Sequence, residues 1–383
     1  MRVLFTTCPG HGHFFPMVPL AWASRAAGHE VMVAAPEGFL PVVIGTGLPG
    51  TPSSGPLDRK EIMRPEPTPD RESAVRSAGR GFGRMAAHTL DGLAGIVRSW
   101  KPDLLVSEPT EHAGPIAATA GGVPYAVQSI GLRFRPQLHA AAAAGFADVR
   151  RPGLDKIDKI DKIDEVAPPA LDLDVCPPEF QLPGLGNGRP MRYVPYNGAS
   201  ALPPALGDPL GAPLVCVTAG SFLARDEGVR RLFVDIVDEL GRMRVYVALA
   251  MDPDLVPLMG RLLDHVVAAG WLPLDLLLPR CALIVHHGGA GTVMTALTHG
   301  VPQLVIPYLM DGFDYADQVA RTGVGRSLPA TAGRDAVREA VAALLDDDGS
   351  AAKAAGVAET IAAGPAPARI VPELESIAQG VAA

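Results

Sequence analysis

The chain runs one alternation twice: a short apolar run, a turn rich in Gly, His or Pro, then a stretch of helical periodicity. Residues 2–7 are such a run, end in Cys8-Pro9-Gly10-His11, and read as a buried strand. From 16 to 27 the pattern turns helical, with proline at its start and Gly28 just past its end. Residues 31–35 form the next strand, and a strand–helix–strand unit favours a parallel crossover. A further buried strand, 104–107, follows Lys101-Pro102-Asp103. The series restarts past Pro213 with a strand at 214–218, the loop Ala219-Gly220-Ser221 and helical sequence to Leu240. Strands at 244–250, 283–286 and 303–306 follow, each leading into helical sequence. Two such halves predict two doubly wound α/β domains that bind ligands at the carboxyl ends of their strands and face each other across a cleft.

A length of 383 residues accommodates two domains, and 48% hydrophobic against 19% charged residues excludes pervasive disorder. A formal net charge of -8 without any dense Lys/Arg run argues against a nucleic-acid partner. Cys8, Cys176, Cys216 and Cys281 include no CxxC pair that would hold zinc or exchange electrons. The N-terminus lacks an export signal, and no apolar segment reaches the ~20 residues that cross a bilayer, so a cytoplasmic protein without a membrane span is expected.

The Pro-, Ser- and charge-rich residues 49–76 predict a surface excursion. Three tandem copies of Asp-Lys-Ile between Asp155 and Asp164 read as a solvated, charge-balanced segment. Proline and glycine from 183 to 213 mark the join between the halves. The expected organisation is an N-terminal domain over 1–195, a linker over 196–212, a C-terminal domain over 213–365, and a helix at 366–383 packed back on the first domain.

The strongest chemical signal is Val285-His286-His287-Gly288-Gly289-Ala290-Gly291-Thr292, which follows a strand and opens a helix. Glycines admit a ligand close to the backbone, and the free N–H groups and dipole of a helix start attract phosphate. His287 can add a charge-assisted hydrogen bond and Thr292 a hydroxyl, whereas a tight turn with incidental histidines is the bland alternative. Gly10-His11-Gly12 lacks the third glycine of a dinucleotide fingerprint, so a nicotinamide site is not expected. Asp172-Leu173-Asp174 has the spacing of a metal-binding pair but reads as surface. His29, His112 and His299 carry no specific signal for a role.

Residues 281–307, with Trp271-Leu272-Pro273 before them, resemble the donor-binding signature of family 1 glycosyltransferases, especially those that decorate bacterial polyketide antibiotics. The resemblance implies the GT-B architecture, two Rossmann-like domains across a cleft. It implies that Trp271 stacks on the nucleotide base and the backbone of Leu272 meets the base edge. His287 with Gly289 and Gly291, and the hydroxyl of Thr292, would hold the diphosphate, and Gly220-Ser221 looks like its second contact. Asp311 matches an acidic residue that holds sugar hydroxyls, while Gly312 stands where the family has glutamine. Losing that amide implies a donor with fewer hydroxyls than glucose, a deoxysugar.

Gly12-His13-Phe14-Phe15-Pro16 is similar to the family's N-terminal loop, which marks His13 as the catalytic base, with His11 next in line. A neutral imidazole suits removal of a proton from an alcohol or phenol, and Glu108, at a strand end where the family places an acid, would orient it. The implied enzyme is an inverting, metal-independent glycosyltransferase without a cofactor, its co-substrate a TDP- or UDP-sugar and its acceptor a hydrophobic aglycone; a monomer or homodimer fits equally. The acceptor is recognised in 49–100 and 132–182, which are Gly- and Ala-rich with Phe82, Phe134 and Phe146, in keeping with a flat apolar aglycone. A carbon-linking transferase, a sugar-nucleotide epimerase and a non-catalytic sugar-nucleotide-binding accessory protein are the alternatives.

Overall fold

The computed structural model describes residues 1–64, 70–149, 166–199, 201–206, 210–220, 224–308 and 311–380. The Asp-Lys-Ile copies and Ser221 lie outside these residues. The chain divides into two compact units, Met1–Cys176 with Pro183–Arg192 and Gly364–Ala383, and Pro177–Leu182 with Tyr193–Ala363.

The first unit is built on seven parallel strands: β1 Arg2–Thr6, β2 Glu30–Pro36, β3 Gly50–Ser54, β4 Leu104–Ser107, β5 Tyr125–Gln128, β6 Leu171–Asp174 and β7 Arg189–Pro190. Their order is β3-β2-β1-β4-β5-β6-β7, so the direction of growth reverses between β1 and β4. Val3, Leu4 and Phe5 are all buried because β1 has helices on both faces, which is why it reads as a continuous apolar run rather than an alternating one.

Two sequence expectations are corrected here. The described part of 49–76 is not all excursion: β3 pairs with β2, and a helix over Arg71–Trp100 starts within the segment, capped by Asp70, which accepts the Ser73 N–H at 2.7 Å. Pro52 is tolerated because β3 is the sheet edge. Asp172-Leu173-Asp174 lies in β6 instead of on a free surface, with Leu173 and Asp174 buried and Arg133 bridging both carboxylates at 2.7 and 3.3 Å. The Gly- and Ala-rich segments serve helix packing. A Cβ on Gly83 would stand 1.9 Å from the Ala142 carbonyl, and one on Gly145 2.0 Å from that of Arg80, so glycine lets helix Arg71–Trp100 touch helix Pro136–Ala147 backbone to backbone. Phe82 and Phe146 are core residues.

A helix over Pro367–Ala378 buries Ile370, Val371 and Leu374 and belongs to this unit, tied to it by Arg189–Glu373 and by His29–Glu375 at 2.9 Å.

The second unit has six parallel strands: β8 Leu214–Thr218, β9 Tyr246–Ala250, β10 Val266–Gly270, β11 Leu283–His286, β12 Gln303–Val305 and β13 Gly325–Ser327, in the order β10-β9-β8-β11-β12-β13. Val215, Val217 and Val285 pack with helices Glu227–Leu240 and Arg334–Leu345 on one face, while Cys216, Ala248 and Ile284 pack with Leu277 and Ala296 on the other. Its order reverses between β8 and β11, the counterpart of the β1/β4 position. Among the described residues no helix is long and apolar enough to cross a membrane.

Candidate active site

In each sheet the reversal opens a crevice at the carboxyl ends of the strands, where ligands bind in folds of this kind. In the first unit Thr6 of β1 is in register with Ser107 of β4, so the segments that follow, Thr7 to Phe14 and Glu108 to His112, emerge side by side. A helical turn over His11–Phe14 lifts His13 toward Glu108, leaving His13 Nδ1 3.2 Å from Glu108 Oε1. Glu108 is buried and accepts the Thr110 N–H at 2.7 Å, the Thr110 hydroxyl at 2.8 Å and the Cys8 N–H at 3.3 Å. Burial alone would raise its pKa, but His13 and then the bonds from Thr110 outweigh that and hold it at about 2. A carboxylate can only accept, so the imidazole presents its proton at Nδ1 and leaves Nε2 as the acceptor. Thr110 Oγ1 lies 3.1 Å from the same Nδ1 and completes a three-residue cluster. Phe82 packs edge-on against the ring at 5.5 Å. His11 has different company, the rings of Phe15 and Phe39.

Glu111 is a second buried carboxyl, accepting N–H groups of Ala113 at 3.1 Å and Gly114 at 2.9 Å at the start of helix Ala113–Gly121. Burial, with the charge of Glu108 beside it, raises its pKa to about 7. His112 is buried and depressed to about 4 by burial, and stands edge-on to His139 at 5.6 Å. Both rings line a cavity of about 270 Å³ that Glu108, Tyr125, Ser129 and Arg133 also face.

In the second unit β11 ends at His286, and His287-Gly288-Gly289 turns into helix Ala290–Thr298. Gly288 takes φ of +89°, where a side chain would also strike the backbone of Gly312 at 2.9 Å. The His287 ring is seated between two glycines: a Cβ on Gly289 would lie 2.5 Å from its Nε2, and one on Gly220, after β8, 2.5 Å from its Cε1. Burial lowers the His287 pKa to about 4 against the opposing pull of a hydrogen bond to the Thr218 backbone. Gly289 is the N-cap and its carbonyl takes the Thr292 N–H at 3.0 Å, while helix geometry leaves the N–H groups of Ala290 and Gly291 pointing out of the helix start.

Asp311 holds the N-cap position of helix Gly312–Thr322, after β12. A Cβ on Gly312 would lie 3.0 Å from the His287 carbonyl, so glycine lets this helix start lie against the turn. Trp271 follows β10, partly buried, its indole N–H donating to the Asn197 carbonyl at 2.8 Å, and Leu272 beside it is buried. Trp271, Leu272, His287, Gly289, Gly291, Thr292 and Asp311 thus all follow carboxyl ends of one sheet, and His13 and Glu108 those of the other. Thr110, Glu111 and the pair His286–Gln303 were not singled out by the sequence. Thr110 has a local signal, a hydroxyl and N–H two residues after a glutamate, the spacing of a side-chain-closed turn.

Comparison with known proteins bears on the fold and the family. The N-terminal domain of the erythromycin biosynthesis protein CIII-like family matches residues 22–220, and the C-terminal domain matches 234–377. The L-demethylnoviosyl transferase of Streptomyces niveus is 43% identical over 334 residues, 86% of this chain and 85% of the relative. The 10-deoxymethynolide desosaminyltransferase of Streptomyces venezuelae is 33% identical over 99% of this chain and 97% of its own. Among solved structures, the Streptomyces sp. SF2575 glycosyltransferase SsfS6 complexed with thymidine diphosphate gives a TM-score of 0.85 at 32% identity, covering 98% of this chain and 99% of that one. Spinosyn rhamnosyltransferase SpnG complexed with spinosyn aglycone gives 0.84 at 29%, covering 98% and 100%.

The fold is that of a GT-B glycosyltransferase. More narrowly, the chain belongs to the erythromycin biosynthesis protein CIII-like family, the glycosyltransferases that attach deoxysugars to antibiotics.

Proposed function

We propose that this enzyme moves a deoxysugar from a thymidine or uridine diphosphate donor to a hydroxyl of a polyketide-type natural product, inverting the anomeric centre. The observation that carries the reading is the buried, ionised Glu108 against His13 Nδ1, which leaves Nε2 as a proton acceptor at the strand ends. His13 Nε2 takes the acceptor's hydroxyl proton as the oxygen forms its bond to the anomeric carbon. The bond from that carbon to the diphosphate breaks on the opposite face, and the nucleoside diphosphate leaves with the electron pair. Glu108 stabilises the imidazolium that results, as Thr110 holds the carboxylate in place.

The departing charge falls to the second unit. The N–H groups of Ala290 and Gly291, the Thr292 hydroxyl and the dipole of helix Ala290–Thr298 would stabilise it, with His287 as a further donor. The role calls on no metal and no cofactor. Trp271 would stack on the base beside Leu272, and Asp311 would accept sugar hydroxyls. Gly312, lying against the His287 carbonyl, offers no amide to a further hydroxyl, which favours a deoxysugar over glucose. The relatives' printed names, a demethylnoviosyl, a desosaminyl and a rhamnosyl transferase, support that choice.

The test is incubation with a TDP-deoxysugar and an aromatic polyketide acceptor, the product read by mass and by anomeric coupling. An oxygen-linked product of inverted configuration is expected. A retained configuration, a carbon linkage, or equal use of UDP-glucose would each overturn the corresponding part of the reading.

A further inference from the structure

We infer that His286 is the positioning residue of the donor site, setting the glycine turn through the Gly288 N–H without touching the donor itself. The inference rests on reading that turn as the place of the diphosphate. His286 and Gln303 are both fully buried on adjacent strands β11 and β12. The Gly288 N–H donates to His286 Nδ1 at 3.1 Å, and His286 Nε2 lies 3.0 Å from Gln303 Oε1. A backbone N–H can only donate, so Nδ1 must be bare and Nε2 must carry the proton, which the amide oxygen of Gln303 accepts. The two bonds require each other: Gln303 selects the tautomer, and that tautomer is the one able to hold Gly288.

The consequence reaches the ligand side. With its N–H taken by His286, Gly288 is fixed at its left-handed φ of +89°, with no room for a side chain against Gly312. That bend sets the direction in which the helix start presents the N–H groups of Ala290 and Gly291. Such groups bind an anion well only when they are held in place before it arrives. His287, the neighbouring ring, faces Gly220 and Gly289 instead, so the adjacent histidines divide the work, one toward the donor and one toward the support.

Two substitutions separate this from a merely structural role. His286→Asn keeps an acceptor, since an asparagine carbonyl can take the N–H two residues ahead; His286→Leu fills the space without one. Thymidine diphosphate affinity is measured by calorimetry on both, beside thermal unfolding. His286→Leu is expected to weaken binding roughly tenfold or more, the scale of one buried hydrogen bond left unmade, and His286→Asn to restore most of it at a similar melting temperature. Equal losses in both variants, or full affinity in His286→Leu, would overturn the inference. Nitrogen-15 histidine spectra of the wild type give a readout that needs neither ligand nor variant. A proton on His286 Nε2 is expected, and one on Nδ1 would overturn the inference while leaving the proposed function intact. If the wild type bound no nucleoside diphosphate, the reading of the turn would go, and this inference with it.

Discussion

The two units share one strand order, and under the proposed function it serves opposite ends of a reaction. Each sheet reverses its order beside its first strand, and each places its chemistry there. At β1/β4 the structure builds a polar cluster of side chains, in which Glu108, buried and held at about 2, backs an imidazole. At β8/β11 it removes side chains: Gly220, Gly288 and Gly289 clear space, and a helix start with a neutral histidine remains. The difference suits what each end would handle under the proposed function. A proton must be taken by one atom of suitable basicity, which needs a carboxylate to orient and stabilise it. A diphosphate spreads its charge over several oxygens, which suits many fixed N–H groups and little bulk.

The largest effect is expected at the base. His13→Asn removes the acceptor but leaves the second unit intact, so transfer falls by about 10²–10⁴-fold while thymidine diphosphate affinity stays near wild type. Parallel loss of both, in paired rate and calorimetric measurements, would mean that the two regions do not divide the work. Next comes Gly289→Ala, whose Cβ would lie 2.5 Å from His287 Nε2 and must displace the ring. Nucleotide affinity is expected to drop at least about tenfold, with the melting temperature little changed. Unaltered affinity would remove His287 from the donor site.

A smaller effect concerns stability and pH. Glu111 has a folded pKa of about 7, above the usual carboxylate value of 4.5, so the native chain holds its proton where the unfolded chain has released it. The stability it contributes is complete below about 4.5 and is lost as pH rises through about 7, on the order of 1–3 kcal/mol. Buried His112, depressed to about 4, slopes the other way between there and its usual 6.5. Urea unfolding of Glu111→Gln against wild type at pH 5 and pH 8 isolates the glutamate: the variant is expected to lack the fall, and identical slopes would contradict it. The smallest effect is expected from His11→Ala. The ring meets Phe15 and Phe39, not Glu108, so the cost is ~1 kcal/mol of packing with transfer within a few-fold of wild type.

What could be read from the sequence follows burial. The central strands β1, β4, β8 and β11 stand out as apolar runs because helices cover both of their faces. The edges do not: β3 is Gly-Thr-Pro-Ser-Ser, β7 only Arg-Pro and β13 Gly-Arg-Ser, held by backbone pairing that leaves little side-chain pattern. The long helix Arg71–Trp100 is masked by the Pro- and Ser-rich stretch before it, and by glycines that serve contact with helix Pro136–Ala147. In the candidate site, the residues that the sequence singles out are those whose motif is contiguous, His287 to Thr292 and the loop around His13. Gln303 escaped because its partner lies 17 residues away, where no local pattern records the pairing; Thr110 has a local turn on Glu108, but its tie to His13 spans 97 residues.

The account stands on the diphosphate lying at the helix start after β11. Phosphorus-31 spectra of thymidine diphosphate with wild type, His13→Asn and Gly289→Ala test it most directly. The β-phosphate resonance is expected to shift on adding wild type or His13→Asn and to shift much less, at equal concentrations, with Gly289→Ala. A shift kept in Gly289→Ala and lost in His13→Asn would place the diphosphate on the first unit and contradict the account.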